Sequence, residues 1–170
     1  MLKTFFHALA LWLVLLPSAF AVEPRIGSFE ENSLTSMETR RSGQPFLLVL
    51  WSVECQSCYS ELRMLKDWRL QHPGIGLVFV NVDGKSALQD VREVISAFGL
   101  ENEEFWLFGA TPPERLRYVI DPLWHGELPR TYFYAPGQRR EGVSGTVDET
   151  ALQLWASLLP KPGKKQEIKR

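Results

Sequence analysis

Residues 47–65 read LLVLWSVECQSCYSELRML, in which an apolar run is followed by two closely spaced cysteines and then by a helical pattern. The apolar run is continuous rather than alternating, which is typical of a strand buried on both faces of a sheet. After the cysteines, Leu62, Leu65 and Trp68 recur at helical spacing. The stretch therefore predicts a central strand, a short turn that carries the cysteines, and an amphipathic helix.

The rest of the chain extends this strand–helix alternation. The patterns predict a strand at 76–83, a helix at 85–100, a strand at 104–108, a helix at 111–120, a hairpin over 130–145 and a last helix at 146–159 capped by Thr146. The predicted order is β-α-β-α-β-α-β-β-α. We expect an α/β fold in which helices flank both faces of a mixed sheet, with the cysteines at the carboxyl end of its first central strand.

The composition of the 170 residues is that of one globular domain, with 45% hydrophobic and 23% charged residues. The formal net charge of -1 gives no indication that the protein binds nucleic acid. Residues 22–44 are rich in polar clusters and predict an irregular lead-in, residues 45–159 the folded domain, and residues 160–170 a disordered basic tail.

The first residues have the features of an export signal. A positive charge at Lys3 precedes an apolar stretch over 5–16, and Ala19-Phe20-Ala21 fits a small-residue cleavage site. We expect cleavage before Val22 and a periplasmic location. An uncleaved membrane anchor is the alternative, although the apolar stretch is short for a span.

Cys55 and Cys58 are the only cysteines, and they have several possible uses. A bridge between them encloses two residues, so it constrains the unfolded chain too little to serve as a structural staple. A zinc site needs about four ligands, and the spacing of His72 and His125 fits no zinc motif. Redox exchange and two-coordinate Cu(I) binding remain open.

Redox exchange requires one activated thiolate and a second thiol within reach. Cys55 lies at the predicted helix start, where free backbone N–H groups and the helix dipole stabilise a negative charge. Cys58, one turn further along, is suited to resolving a mixed disulfide. We therefore predict Cys55 as the nucleophile and Cys58 as the resolving cysteine.

The motif WSVECQSCYSEL, followed some seventy residues later by LPRTYFY, resembles the exported thioredoxin-fold thiol–disulfide oxidoreductases of bacteria. The most similar group is the TlpA/ResA type, which includes the reductases of cytochrome c maturation. The resemblance covers residues 40–158 and implies a thioredoxin-like fold with a redox-active Cys55–Cys58 disulfide. It also implies dithiol–disulfide exchange without a cofactor.

The resemblance assigns roles to four further residues. Pro129 matches a cis proline that faces the disulfide, and the backbone of Leu128 before it pairs with substrate. Glu61 matches a carboxylate that exchanges protons with the cysteines, while a surface carboxylate is the alternative. Trp51 matches a tryptophan that packs against the cysteine pair.

Three departures from the family pattern bear on the direction of exchange. Ser57 stands where most relatives have proline, and Glu54 places a negative charge beside Cys55 that opposes thiolate formation. Val49 stands where cytoplasmic thioredoxins bury a carboxylate.

We predict a monomeric reductase of disulfides in exported proteins, recharged by a membrane thiol donor. A disulfide oxidase or isomerase and a Cu(I)-binding chaperone are the alternatives.

Overall fold

The computed structural model describes residues 24–137 and 140–160. Within these ranges the chain forms six strands and five α-helices: β1 (Ile26–Phe29), α1 (Ser33–Arg40), β2 (Phe46–Trp51), α2 (Gln56–Gln71), β3 (Gly76–Asn81), α3 (Leu88–Phe98), β4 (Glu104–Phe108), α4 (Pro113–Ile120), β5 (Arg130–Tyr134), β6 (Glu141–Ser144) and α5 (Glu149–Leu158). A short 3₁₀ turn, Lys85–Ala87, leads into α3. From β2 onwards, the element order is the one that the sequence predicts.

The strands form one mixed sheet in the order β1-β4-β3-β2-β5-β6. β1, β4, β3 and β2 are parallel to one another, while β5 and β6 complete the sheet in antiparallel pairing. β2 is therefore central, with β3 on one side and β5 on the other. This arrangement confirms the predicted mixed α/β sheet and its closing hairpin.

Side chains of β2 alternate between two apolar clusters, one on each face of the sheet. Leu47, Val49 and Trp51 join the cluster that also contains Cys58, which we call the cysteine face. Helices α2, α3 and α5 cover this face. Phe46 and its alternate neighbours join the opposite cluster, which α1 and α4 cover. Because both faces are covered, all six residues of β2 are buried, which explains its continuous apolar sequence.

The polar segment 22–44, predicted as an irregular lead-in, contains regular structure where it is described. Ile26 in β1 pairs with Phe105 in β4, so this segment adds a parallel edge strand to the sheet. Helix α1 then buries Leu34 and Met37 against the opposite face. The prediction was wrong because a few apolar residues among polar ones give no extended pattern, whereas distant parts of the sheet supply their partners.

The last helix begins later than predicted. It starts at Glu149, and its N-cap is Asp148, whose side chain accepts a hydrogen bond from the Thr150 N–H, rather than Thr146. By contrast, Gly99 ends α3 in the left-handed conformation, with φ of 62°, as its position predicts.

Two sequence predictions lie outside the described residues, namely the signal segment over 1–21 and, from 161 onwards, the basic tail. Among the residues that are described, none of the helices combines the length and the apolar character needed to cross a membrane.

Candidate active site

The cysteine pair lies at the junction between β2 and α2. β2 ends at Trp51, three residues form a loop, and Cys55 is the N-cap of α2 with extended backbone geometry. The carboxyl ends of β2 and β3 meet here, since Trp51 and Asn81 are register partners. The predicted position of the pair, at the end of a central parallel strand, is confirmed.

Cys55 and Cys58 form a disulfide with an S–S distance of 2.05 Å. The two sulfurs differ in exposure, because Cys55 is partly exposed whereas Cys58 is fully buried in the cysteine-face cluster. The Cys58 N–H donates to the Cys55 Sγ over 3.1 Å, and the Ser57 hydroxyl lies 3.5 Å from the same sulfur. An incoming group therefore has access to Cys55 rather than to Cys58.

A carboxylate two residues after the end of the neighbouring strand β3 holds the loop before Cys55 in place. Asp83 accepts hydrogen bonds from the Ser52 hydroxyl at 2.7 Å and from the Val53 N–H at 2.8 Å. The buried amide of Asn81 donates to the same carboxylate at 2.9 Å, and the Cys55 N–H donates to the Ser52 carbonyl at 3.2 Å. These bonds define the backbone path that places Cys55 at the helix start.

Glu61 is fully buried one turn beyond Cys58, which contradicts the interpretation of it as a plain surface carboxylate. Its carboxylate accepts hydrogen bonds from the Thr131 hydroxyl and from the Val147 N–H, the second over 3.2 Å. Burial raises the pKa of Glu61, and the two hydrogen bonds oppose that effect without cancelling it. The site thus contains a buried acid whose proton is held to a higher pH than usual, one helical turn from Cys58.

Glu61 is linked through Thr131 to the strand position occupied by Val49. Val49, where cytoplasmic thioredoxins bury a carboxylate, is the direct register partner of Thr131. Since directly opposed residues point to the same face of a sheet, the Thr131 hydroxyl that binds Glu61 lies beside Val49. A helix thereby supplies a carboxylate to the part of the cysteine face where the strand itself has none.

The other predicted site residues lie around the same cluster. Trp51 is fully buried within it, in the same cluster as Cys58. Leu128 is partly buried and packs against this cluster, as Cys55 does. The Leu128–Pro129 peptide bond is cis, as the resemblance implied, and the Pro129 carbonyl accepts a hydrogen bond from the Gly145 N–H at 2.8 Å.

The chain is similar to solved thioredoxin-fold proteins. The structure of DsbF from Mycobacterium tuberculosis matches with a TM-score of 0.56 and 18% identity, over 71% of this chain and 83% of that one. A secreted disulfide oxidoreductase from M. tuberculosis, homologous to E. coli DsbE, matches at 0.55 and 16%, over 71% and 86%. A thiol-disulfide isomerase from Corynebacterium glutamicum matches at 0.53 and 15%, over 72% and 84%.

These likenesses establish the fold of the chain as thioredoxin-like. Two of the matched proteins are described as a disulfide oxidoreductase and a thiol-disulfide isomerase, activities of the class that the sequence motif resembles. No protein-family model matches the sequence, and no curated protein does so either.

Sequence reasoning missed the residues that hold the site in place. Asp83 and Asn81 could have been found, because these two polar residues lie at and just after the end of a Val- and Phe-rich strand, where its parallel neighbour leads into the cysteines. Thr131 and the Val147 backbone gave no comparable signal. Their contacts with Glu61 join positions 70 and 86 residues apart.

Proposed function

We propose that this protein is a thiol–disulfide oxidoreductase that reduces disulfides in exported proteins through Cys55 and Cys58. The observation that carries the proposal is the unequal exposure of the two bonded sulfurs at the start of α2. One accessible sulfur and one buried sulfur impose an order of events, with attack through Cys55 and resolution by Cys58.

In the reduced protein, the Cys55 thiolate attacks one sulfur of a client disulfide. A bond forms between the Cys55 Sγ and that sulfur, the client S–S bond breaks, and the departing client thiolate takes up a proton. The Cys58 thiolate then attacks the Cys55 Sγ, which releases the second client thiol and leaves the Cys55–Cys58 disulfide. Two electrons and two protons pass to the client, and an external dithiol donor, which we place at the membrane, reduces the pair again.

The local geometry supports Cys55 as the attacking group. The Cys58 N–H that donates to the Cys55 sulfur is directed at the atom that carries the negative charge after reduction. A hydrogen bond to the charged form and a helix start both lower a thiol pKa. Glu54 is exposed beside Cys55 and acts in the opposite direction, so the net reactivity reflects both effects.

Glu61 is positioned to exchange protons during the second step. The Cys58 thiol must lose its proton in an apolar cluster that water reaches poorly. A buried carboxyl with a raised pKa, one turn away on the same helix, is a group that can take up and return a proton. We infer that Glu61 serves the resolving cysteine, while Pro129 and the Leu128 backbone border the surface that receives the client.

A trapping experiment tests the exchange reaction. Cys58→Ser protein incubated with a disulfide-bonded protein such as insulin is expected to accumulate a mixed disulfide at Cys55, visible on a non-reducing gel and assigned by mass spectrometry. Cys55→Ser is the matched control, and it should trap almost nothing because Cys58 is fully buried. The proposal fails if Cys58→Ser traps no partner and the wild-type protein does not accelerate insulin reduction.

The reduction potential of the pair tests the direction. A value near the thioredoxin potential of about -270 mV supports a reductase, whereas one near about -120 mV supports an oxidase. Tight binding of one Cu(I) per protein, together with failure to exchange, would favour the Cu(I)-chaperone alternative.

Export is the remaining part of the proposal. The chain begins with the signal-like segment over 1–21, and one of the similar M. tuberculosis proteins is described as secreted. Amino-terminal sequencing of the protein recovered from the periplasm is expected to begin at Val22. A product that keeps residues 1–21 and stays with the membrane fraction would show an anchored protein instead.

A further inference from the structure

A groove lies directly beside the cysteine pair, between the loop before Cys55 and helix α3. It is lined by residues 53–54, Tyr59 and the outer face of α3 from Asp90 to Phe98, and its volume is about 460 Å³. We call it the acidic groove. Glu54, one of its lining residues, is the covalent neighbour of Cys55, so a polypeptide bound through Cys55 has its neighbouring side chains within reach of this surface.

The walls of the acidic groove are apolar, and a hydrogen bond and a ring contact of Tyr59 hold them in place. The Tyr59 hydroxyl donates to the Val53 carbonyl at 2.5 Å, which ties the first turn of α2 to the loop. The Tyr59 ring also packs against Phe98, with ring centroids 5.9 Å apart. Val94 and Ala97 complete this surface from α3. The groove therefore offers a preformed apolar surface to an aliphatic side chain.

The rim of the acidic groove is negatively charged. Among the described residues that line it, Glu54, Asp90 and Glu93 are carboxylates, and none is Lys or Arg. All three carboxylates are exposed. On the α2 side, the guanidinium carbon of Arg63 lies 5.0 Å from the centre of the Phe98 ring.

The charge acts on the groove wall as well as on its rim. Burial raises the pKa of Tyr59, and the negative charges of Asp83, Glu54 and Asp90 raise it further. The same field attracts a cationic side chain. The attraction between exposed charges extends over about 8 Å, the Debye length at physiological ionic strength.

We propose that the acidic groove selects client polypeptides that carry a Lys or Arg and an aliphatic residue close to their reactive cysteine. The inference rests on the proposed thiol–disulfide exchange and names the class of client for it. The cationic side chain pairs with the carboxylates of α3, while the aliphatic side chain packs between Tyr59 and Val94. Glu54 thus has a positive role in client recognition that offsets its unfavourable effect on the Cys55 thiolate.

Matched peptides test this selectivity. Two disulfide-bonded peptides of identical length carry either Lys-Leu or Glu-Leu beside one cysteine, and a third carries Lys-Ser. The rate constant for exchange with reduced wild-type protein is measured for each. We expect the Lys-Leu peptide to react about 10-fold faster than the Glu-Leu peptide at low salt, since electrostatic attraction raises association rates by about 10-fold or more. The Lys-Ser peptide should fall between them.

Charge variants assign the preference to the groove. Asp90→Asn/Glu93→Gln removes two exposed carboxylates of α3 that take no part in the exchange chemistry, and it should bring the Lys-Leu to Glu-Leu ratio close to one. Asp67→Asn/Glu149→Gln is the matched control. It removes two exposed carboxylates from a different groove, lined by α2 and the start of α5, and should leave the ratio unchanged.

The possible outcomes separate this inference from the proposed function. Equal rates for the three peptides, or a preference that survives in Asp90→Asn/Glu93→Gln, overturn the client selectivity but leave the exchange reaction in place. A preference lost equally in both double variants shows an effect of net charge alone and also overturns it. Failure of the wild-type protein to exchange with any peptide overturns the proposed function itself.

Discussion

The carboxylate of Glu61 in α2 accepts a hydrogen bond from the hydroxyl of Thr131 in β5, and both side chains are fully buried. This contact connects the helix that carries the cysteines to the strand that follows the cis proline. It also places an ionisable group in an apolar cluster, where the charged form is disfavoured. The protonation of Glu61 therefore links stability, pH and the proposed reactivity of Cys58.

The first prediction concerns stability against pH. Because burial raises the pKa of Glu61 above its ordinary value of 4.5, the folded protein keeps a proton that the unfolded chain has already lost. Stability from this group is therefore full below about pH 4.5 and declines as pH rises towards the folded pKa. We expect the free energy of unfolding of wild type, relative to Glu61→Gln, to decrease over that window in urea titrations. A difference that grows with pH would mean that the pKa is lowered instead.

The second prediction concerns the pH dependence of exchange. Glu61→Gln cannot take up or release a proton, so we expect Cys58 to release a mixed disulfide more slowly in this variant. General acid–base groups raise a rate by about 10²–10⁴-fold. We expect a loss towards the lower end of this range, because water can still accept the Cys58 proton in the variant. When the stopped-flow rate constant is plotted against pH from 5 to 9, the curve for the variant should have one inflection fewer than the curve for wild type. Unchanged inflections with a uniformly lower rate would indicate a purely structural role.

The third prediction isolates the Thr131 hydroxyl. Thr131→Val keeps the shape of the side chain but removes the donor to Glu61, and a hydrogen bond to a charged group is worth about 1.5–3 kcal/mol. The loss in unfolding free energy should be larger at pH 8 than at pH 4, because the bond favours the ionised carboxylate. Thr131→Ser, which retains the hydroxyl, should not show this pH dependence. An equal loss at both pH values would mean that packing alone is affected.

The fourth prediction concerns the loop before Cys55. Asp83→Ala removes the acceptor for Ser52, Val53 and Asn81 and leaves partly buried donors without their partner. We expect a loss of about 1–3 kcal/mol in unfolding free energy and a change in the alkylation rate of reduced Cys55. Asp67→Asn, at an exposed carboxylate of α2, provides the comparison and should change neither quantity. A stable variant with an unaltered alkylation rate would show that the loop does not depend on Asp83.

The fifth prediction concerns the start of α5. Asp148→Ala removes the side chain that accepts the Thr150 N–H and should lower the melting temperature, whereas Thr146→Ala should not. The hydrogen bond from the Thr150 N–H lowers the pKa of Asp148 below its ordinary value of 3.8. The cap is therefore fully effective above about pH 3.8, and its contribution disappears as pH falls below that value. Thermal unfolding of both variants at pH 7 and pH 3 checks this. A larger effect of Thr146→Ala than of Asp148→Ala would show that Thr146 is the cap, as the sequence predicts.

Local sequence patterns were sufficient to predict the strands and helices whose burial leaves a regular pattern of apolar residues along the chain. FLLVLW is apolar at every position because β2 is covered on both faces, and the helical spacing of Leu62, Leu65 and Trp68 follows from one buried side of α2. The start of a helix also has a local signature, so the position of Cys55 could be read without the fold. The lead-in was misinterpreted since β1 is an edge strand whose burial depends on β4.

The environment of Glu61, by contrast, depended on elements far away in the chain. Nothing near Glu61 distinguishes a buried acid from a surface one, because its burial results from the packing of α2 against β5 and the segment after β6. The acidic groove likewise exists only where α3 approaches the loop before Cys55. Periodicity and turn signals are properties of neighbouring residues, and they located the cysteine pair at the start of a helix. The register of the sheet and the packing of helices on it bring distant side chains together, and they determined which acid and which surface surround that pair.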